Sequence, residues 1–132
     1  MSHLKKYHNL MTLIMNNHHI IDVTFLDKEL LTNIKEFRKI LLECCNDSGV
    51  VVLHDYFHNF ENTNGFTGII CLAESHVSVH TWPENLTMCL DVFMCNNKRS
   101  DTFIKLLKNK INNEGVKYDI RTIKRIWYSF TA

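Results

Sequence analysis

Residues 67–94 read "TGIICLAESHVSVHTWPENLTMCLDVFM", and this stretch decides the fold. "TGIICLA" (67–73) is a short apolar run of strand type, and "SHVSVHTW" (75–82) is the next strand. Pro83, the single proline of the chain, closes that strand because proline cannot donate to a ladder. "TMCLDVFM" (87–94) is a further strand, so neighbouring strands are joined by short turns. In this last strand Met88, Leu90, Val92 and Met94 form one apolar face, as expected beneath helices. The other face carries Cys89, Asp91, Phe93 and, just beyond, Cys95, which is mixed and not water-loving.

The flanks complete the pattern. "HHIIDVTF" (18–25) is a first strand, and Asp27 then caps a helix with apolar positions Leu30, Ile34, Phe37 and Leu41. "NDSG" ends that helix, with Gly49 as the residue after the cap. "VVVLHDYFHNF" (50–60) is the second strand and "ENTNGF" a turn. A second helix starts at Ser100 or Asp101 and runs through Phe103, Leu106 and Leu107 towards Gly115, and "VKYDIRTIKRIW" (116–127) is the final strand. The order β-α-β-β-β-β-α-β is an α+β fold, a two-layer α/β sandwich with an antiparallel-rich sheet and two helices on one face. With both helices on one side, the mixed face needs another cover. A second copy of the chain is the simplest, giving a symmetric dimer packed sheet on sheet.

Composition bounds the function. The chain has 132 residues and a formal net charge of +1, the size of one domain, with residues 1–17 read as an extension and 18–132 as the domain. Basic residues are scattered, and "KRIWYSF" with Lys124 and Arg125 reads as a solvated strand end, so neither nucleic acid nor a membrane is an expected partner. No stretch reads as a signal peptide or a membrane span. The five cysteines form no CxxC pair, which points to reduced thiols and a cytoplasmic setting.

The strand at 75–82 is unusually polar. A metal site on His76 and His80 is not expected, because four residues along a strand separate them by about 13 Å. A serine hydrolase would place its nucleophile between strand and helix, and here the serine lies between strands. The stretch "AESHVSVHTWPE" (73–84), followed by "LDVFMC", resembles the prokaryotic type of S-adenosylmethionine decarboxylase, a pyruvoyl enzyme of polyamine and spermidine synthesis. The resemblance extends through "FHNF" and "TGIICLAESH" and, more loosely, to "HHIID", covering roughly residues 18–96. That family has the sandwich read above and a dimer of it.

The resemblance implies a proenzyme that cleaves itself between Glu74 and Ser75 into chains 1–74 and 75–132. Ser75 attacks the Glu74 carbonyl, the peptide becomes an ester, and elimination followed by hydrolysis leaves a pyruvoyl group derived from Ser75. That covalent group forms a Schiff base with the substrate amine and acts as the electron sink for decarboxylation, so no dissociable cofactor and no metal is implied. Residue by residue, the resemblance makes His80 the base of processing and Cys95 the proton donor to the substrate α-carbon. Thr67 stands where the family has a serine that helps processing. Phe60 matches an aromatic that stacks on adenine, and Glu84 a carboxylate that binds the ribose hydroxyls.

Spacing adds a constraint. Ser75 and His80 would lie about 16 Å apart on an extended strand, beyond proton transfer, and would face opposite sides. Either the strand breaks just after Ser75 or the histidine comes from a second subunit. The expected arrangement is two sites at a dimer interface, with Ser75 and Cys95 from one chain and Phe60, Thr67, His80 and Glu84 from the other. Departures from the family pattern are "NLTMC" after Trp82-Pro83-Glu84, Met94-Cys95-Asn96, and one extra residue between Phe60 and Thr67. They sit near the substrate pocket and keep arginine or ornithine as alternatives to S-adenosylmethionine. A third reading is an unprocessed, non-enzymatic homologue acting as a partner subunit.

Overall fold

The computed structural model describes residues 11–25, 27–112 and 115–130. Six strands form one sheet: β1 (Met11–Thr24), β2 (Val52–Asn59), β3 (Phe66–Leu72), β4 (His76–Trp82), β5 (Thr87–Phe93) and β6 (Lys117–Phe130). Two helices, α1 (Ile34–Asp47) and α2 (Asn97–Ile111), interrupt them in the expected order. The strands lie in the order β2-β3-β4-β5-β1-β6, and every neighbouring pair is antiparallel. β2 to β5 follow one another as a meander, whereas β1 inserts between β5 and β6.

Alternation in β5 sorts the two faces as expected. Met88, Leu90, Val92 and Met94 are at most 1% exposed and pack with Phe37, Leu41, Phe103 and Leu107 of the helices. Burying each such side chain contributes about 1.5–3 kcal/mol, so this face is the core. The opposite face carries half-buried Cys89, Asp91 and Phe93. Tyr56, Ile69, Trp82 and Ile123 stand exposed on that face. Among the described residues no part of the chain covers this open face.

Three expectations need correction. β1 begins at Met11, so residues 11–17, read as extension, are strand; residues 1–10 lie outside the described residues. The polar Asn16-Asn17 pair does not stop the strand, because β6 pairs with it as far as Met11–Phe130. On its other edge the Asn97 side chain accepts from the Asn17 amide (2.8 Å) and donates to the Met15 carbonyl (3.3 Å). The cap of the first helix is Asn33, whose Oδ1 accepts from the Glu36 amide, and not Asp27. Asp27 instead accepts from the Glu29 amide ahead of a 3-10 turn at Leu30–Thr32. The Leu31 carbonyl is tied to the Thr81 hydroxyl, so the chain must restart its helix. α2 begins at Asn97, three residues before the expected start, because Asn96 caps it by accepting from the Arg99 amide. Gly49 does follow the cap of α1, at φ +81°.

His19, on the helix face of β1, is 5% exposed and bonds Thr122 and Ser100. Burial holds it below the ordinary histidine value of 6.5, against the opposing pull of Asp101. The unfolded chain therefore binds a proton that the fold refuses, and stability present at neutral pH is lost as pH falls below 6.5. Thermal unfolding from about pH 7.5 down to about pH 5 should show a falling midpoint, and His19→Gln should flatten the fall. An identical pH slope in the variant would count against His19 as a source.

Candidate active site

The site is built on the β3–β4 hairpin. Its loop is Ala73, Glu74 and Ser75, closed by the Leu72 amide donating to the Ser75 carbonyl at 2.9 Å. The Ala73 amide donates to Val51 at 3.0 Å, which pins the loop to the segment before β2. β5 lies on the other side of β4, with His76 opposite Phe93. Continuing that register brings Glu74 level with Cys95, and the Cys95 thiol donates to the Glu74 carbonyl oxygen at 3.0 Å. Burial raises the thiol above its ordinary range, and the charge of the Glu74 carboxylate and a hydrogen bond with that side chain push the same way. Cys95 thus keeps its proton at neutral pH, as a donor needs to.

Between this hairpin and the start of α2 lies a cavity of about 420 Å³. Glu74, Ser75, Met94, Cys95, Asn96 and Arg99 are among its lining residues. Asn96 and Arg99 enter because the cap of α2 follows directly on Cys95.

The remaining candidates gather at the opposite end of β4. Thr67 and His80 are cross-strand partners, and the Thr67 hydroxyl lies 3.0 Å from His80 Nδ1. The His80 ring packs against Trp82 at 5.9 Å. Phe60 closes the β2–β3 turn, its amide donating to the Gly65 carbonyl at 2.7 Å. A Cβ at Gly65 would come 2.6 Å from the Thr81 carbonyl, 2.8 Å from Pro83 and 3.2 Å from the Phe60 ring. The missing side chain is what lets Phe60 approach Pro83, and Glu84 stands exposed in the 3-10 turn that follows.

Within one chain, then, Glu74, Ser75 and Cys95 are brought together, as are Thr67 with His80 and Phe60 with the Pro83–Glu84 turn. His80 is not brought to Ser75. Ser75 lies in the loop just before β4, and β4 runs unbroken from His76 to Trp82, so the four extended residues from His76 to His80 alone span about 13 Å.

A third cluster was not singled out from the sequence. On the open face His18, His76 and Phe93 pack ring against ring at 5.6–6.1 Å, beside Asp91, which bonds His18 at 3.1 Å. Burial lowers His76, aided by the neighbouring His18 and Arg125, against the pull of Asp91. Arg125, expected to be a solvated strand end, lies exposed but over the Phe93 ring at 4.9 Å. Alternation alone could have placed these residues on one face; only the strand order shows that they meet. Among the described residues no three His, Cys, Asp or Glu side chains converge as a metal site.

Fold and site together define the class: a two-layer α+β sandwich with a serine-bearing peptide in a tight hairpin, its carbonyl held by a thiol. The chain belongs to the S-adenosylmethionine decarboxylase family, whose model matches residues 17–125. An S-adenosylmethionine decarboxylase proenzyme from Thermococcus gammatolerans is 40% identical over 81 residues, which is 61% of this chain and 56% of that protein. The chain thus spans little more than half the length of such archaeal relatives. A bacterial proenzyme from Sulfurihydrogenibium is 33% identical over 104 residues, covering 75% of this chain and 77% of its own. The crystal structure of the adenosylmethionine decarboxylase from Aquifex aeolicus superposes with a TM-score of 0.69 at 21% identity. That likeness covers 82% of this chain and 90% of the other, and it concerns the fold.

Proposed function

We propose that this chain is a self-processing, pyruvoyl-dependent decarboxylase of S-adenosylmethionine, supplying the decarboxylated product used in spermidine synthesis. The observation that carries the reading is the 3.0 Å hydrogen bond from the Cys95 thiol to the Glu74 carbonyl. It polarises the carbonyl that Ser75 must attack and supplies a donor where negative charge develops. Ser75 Oγ adds to the Glu74 carbonyl carbon and the C–N bond breaks, leaving an ester and a free Ser75 amine. A base then removes the Ser75 α-proton, the Glu74 carboxylate leaves, and water releases ammonia from the resulting dehydroalanine.

A hairpin loop that already holds Ser75 at a cavity suits the pyruvoyl group formed there, whose carbonyl condenses with the substrate amine and accepts the electron pair freed as carbon dioxide departs. Cys95, with its proton retained, then protonates the substrate carbon. Phe60 stacks on the adenine ring, Glu84 accepts from the ribose hydroxyls, and Thr67 fixes the His80 ring.

Because β4 holds His80 away from Ser75 on the same chain, the base and the nucleoside-binding residues serve the site of a second copy. Exposed Tyr56, Ile69, Trp82 and Ile123 on the open face support a sheet-on-sheet homodimer that would bury them. The five cysteines are free thiols, which suits the reducing cytoplasm. Among the described residues no helix is long and apolar enough to cross a membrane. A second reading, decarboxylation of arginine or ornithine by the same chemistry, rests on the departure from the family pattern at Asn96, which stands after Cys95 and lines the cavity.

Carbon dioxide release from carboxyl-labelled S-adenosylmethionine, arginine and ornithine, measured side by side on the processed protein, tests the reading. Release from S-adenosylmethionine at least about tenfold faster than from the others is expected, a difference of about 1.4 kcal/mol. Preference for arginine or ornithine would replace the substrate and keep the chemistry. No release from any, with the chain uncut, would leave a non-enzymatic partner subunit.

A further inference from the structure

Self-processing as proposed above creates a charge that the fold must accommodate. When the ester is eliminated, the group that leaves Ser75 Cβ is the carboxylate of Glu74. In the precursor that position is a neutral peptide carbonyl, held by the neutral thiol of Cys95. A full negative charge therefore appears where only one uncharged donor is in place.

Among the described residues the cavity at this peptide has one cation in its lining, Arg99, on the first turn of α2. Its backbone amide is spent on the Asn96 cap, which fixes where the side chain starts. Among the described residues the guanidinium forms no ion pair, whereas Arg38 and Arg121 are both paired with aspartates. Among the described residues the one acid lining the same cavity is Glu74, the residue whose main-chain carboxylate is released.

We propose that Arg99 is the counter-ion of that leaving carboxylate: it stabilises the charge that builds on Glu74 as the Ser75 Cβ–O bond breaks, and holds the new chain end afterwards. In the balanced step the base takes the Ser75 α-proton, the electron pair forms the Cα=Cβ bond, and the Cβ–O pair departs with the Glu74 carboxylate. Nothing is oxidised or reduced, and water enters only in the later loss of ammonia. The inference rests on the self-processing reading. It separates two steps that a single cleavage assay merges, since the acyl shift does not release a carboxylate and the elimination does.

The test is a time course on full-length precursor made by cell-free synthesis, with wild type, Arg99→Gln and Arg99→Lys compared. Aliquots are quenched with or without hydroxylamine, which cuts an ester at Glu74 and leaves an unmodified Ser75 amine. Mass analysis then counts ester, uncut chain and pyruvoyl-blocked fragment. Arg99→Gln is expected to slow the pyruvoyl fragment by about 10- to 100-fold while hydroxylamine-sensitive ester accumulates. Arg99→Lys, which keeps the charge and loses the planar fork, should fall between. Wild-type kinetics in Arg99→Gln, or slowing without ester, would overturn the proposal. A wild-type chain that forms neither ester nor fragment would instead remove the processing reading on which it stands.

Discussion

Ser75→Ala should persist as a single 15.6 kDa species through long incubation and release no carbon dioxide from any candidate substrate. Wild-type protein should split into two fragments, the second blocked at its N-terminus. The expected loss is the whole catalytic acceleration, about 10⁶-fold or more, because alanine removes the nucleophile and the source of the carbonyl together. The substitution is also a clean one. The loop is tied by the backbone groups of Leu72, Ala73 and Ser75, so losing the hydroxyl should change stability by no more than about 0.5 kcal/mol. Matching thermal midpoints for variant and uncut precursor would establish that chemistry and not folding was removed. Cleavage of Ser75→Ala at the same bond would mean that another group opens the peptide.

The second large effect concerns His80. His80→Ala alone should process and decarboxylate at least about 100-fold more slowly, the usual scale for loss of a positioned base. Mixing it with Ser75→Ala gives the sharper result. Where each site takes Ser75 from one chain and His80 from the other, a mixed dimer holds one intact site and one lacking both residues. Random pairing of equal amounts makes about half of the dimers mixed, so co-expression should restore about a quarter of the wild-type sites from two inactive parents. No complementation would mean that one chain supplies both residues, and the distance along β4 would have to be closed by rearrangement. Cys95→Ala mixed with Ser75→Ala should fail to complement, because those two residues meet within one chain.

How much of this was legible beforehand depends on the distance over which each feature is decided. The layer architecture is visible in β5 alone, since Met88, Leu90, Val92 and Met94 alternate with less apolar neighbours and a strand can hide only one side. Helix starts were less legible. Asp27 and Asn33 are both good caps locally, and the choice falls to Asn33 because the Leu31 carbonyl is held by Thr81, fifty positions away. The first strand was read too short for a similar reason: Asn16 and Asn17 look like loop residues until β6 and Asn97 supply partners. In the site, the family resemblance nominates Ser75, His80 and Cys95, and strand spacing adds that Ser75 and His80 meet in one chain only if the strand breaks between them. Arg99 carries no local signal: a helix start at Ser100 or Asp101 leaves it outside the helix, and only the cap at Asn96 puts it on the first turn beside the cavity.

The position of β1 in the sheet has a consequence for the processing proposed above. A cut between Glu74 and Ser75 puts β1, β2, β3 and α1 on one fragment and β4, β5, β6 and α2 on the other. In the order β2-β3-β4-β5-β1-β6 the fragments then alternate, so three ladders, β3 with β4, β5 with β1 and β1 with β6, join one to the other. Neither piece holds a continuous sheet of its own strands, and separating them means dismantling the core. Scission would thus change molecularity while the shared ladders keep the pieces together. The precursor folds as one chain at a rate independent of concentration, whereas the processed pair, once unfolded, must find itself again as a bimolecular reaction. Dilution should leave native enzyme intact and yet impair refolding of processed protein far more than refolding of uncut Ser75→Ala.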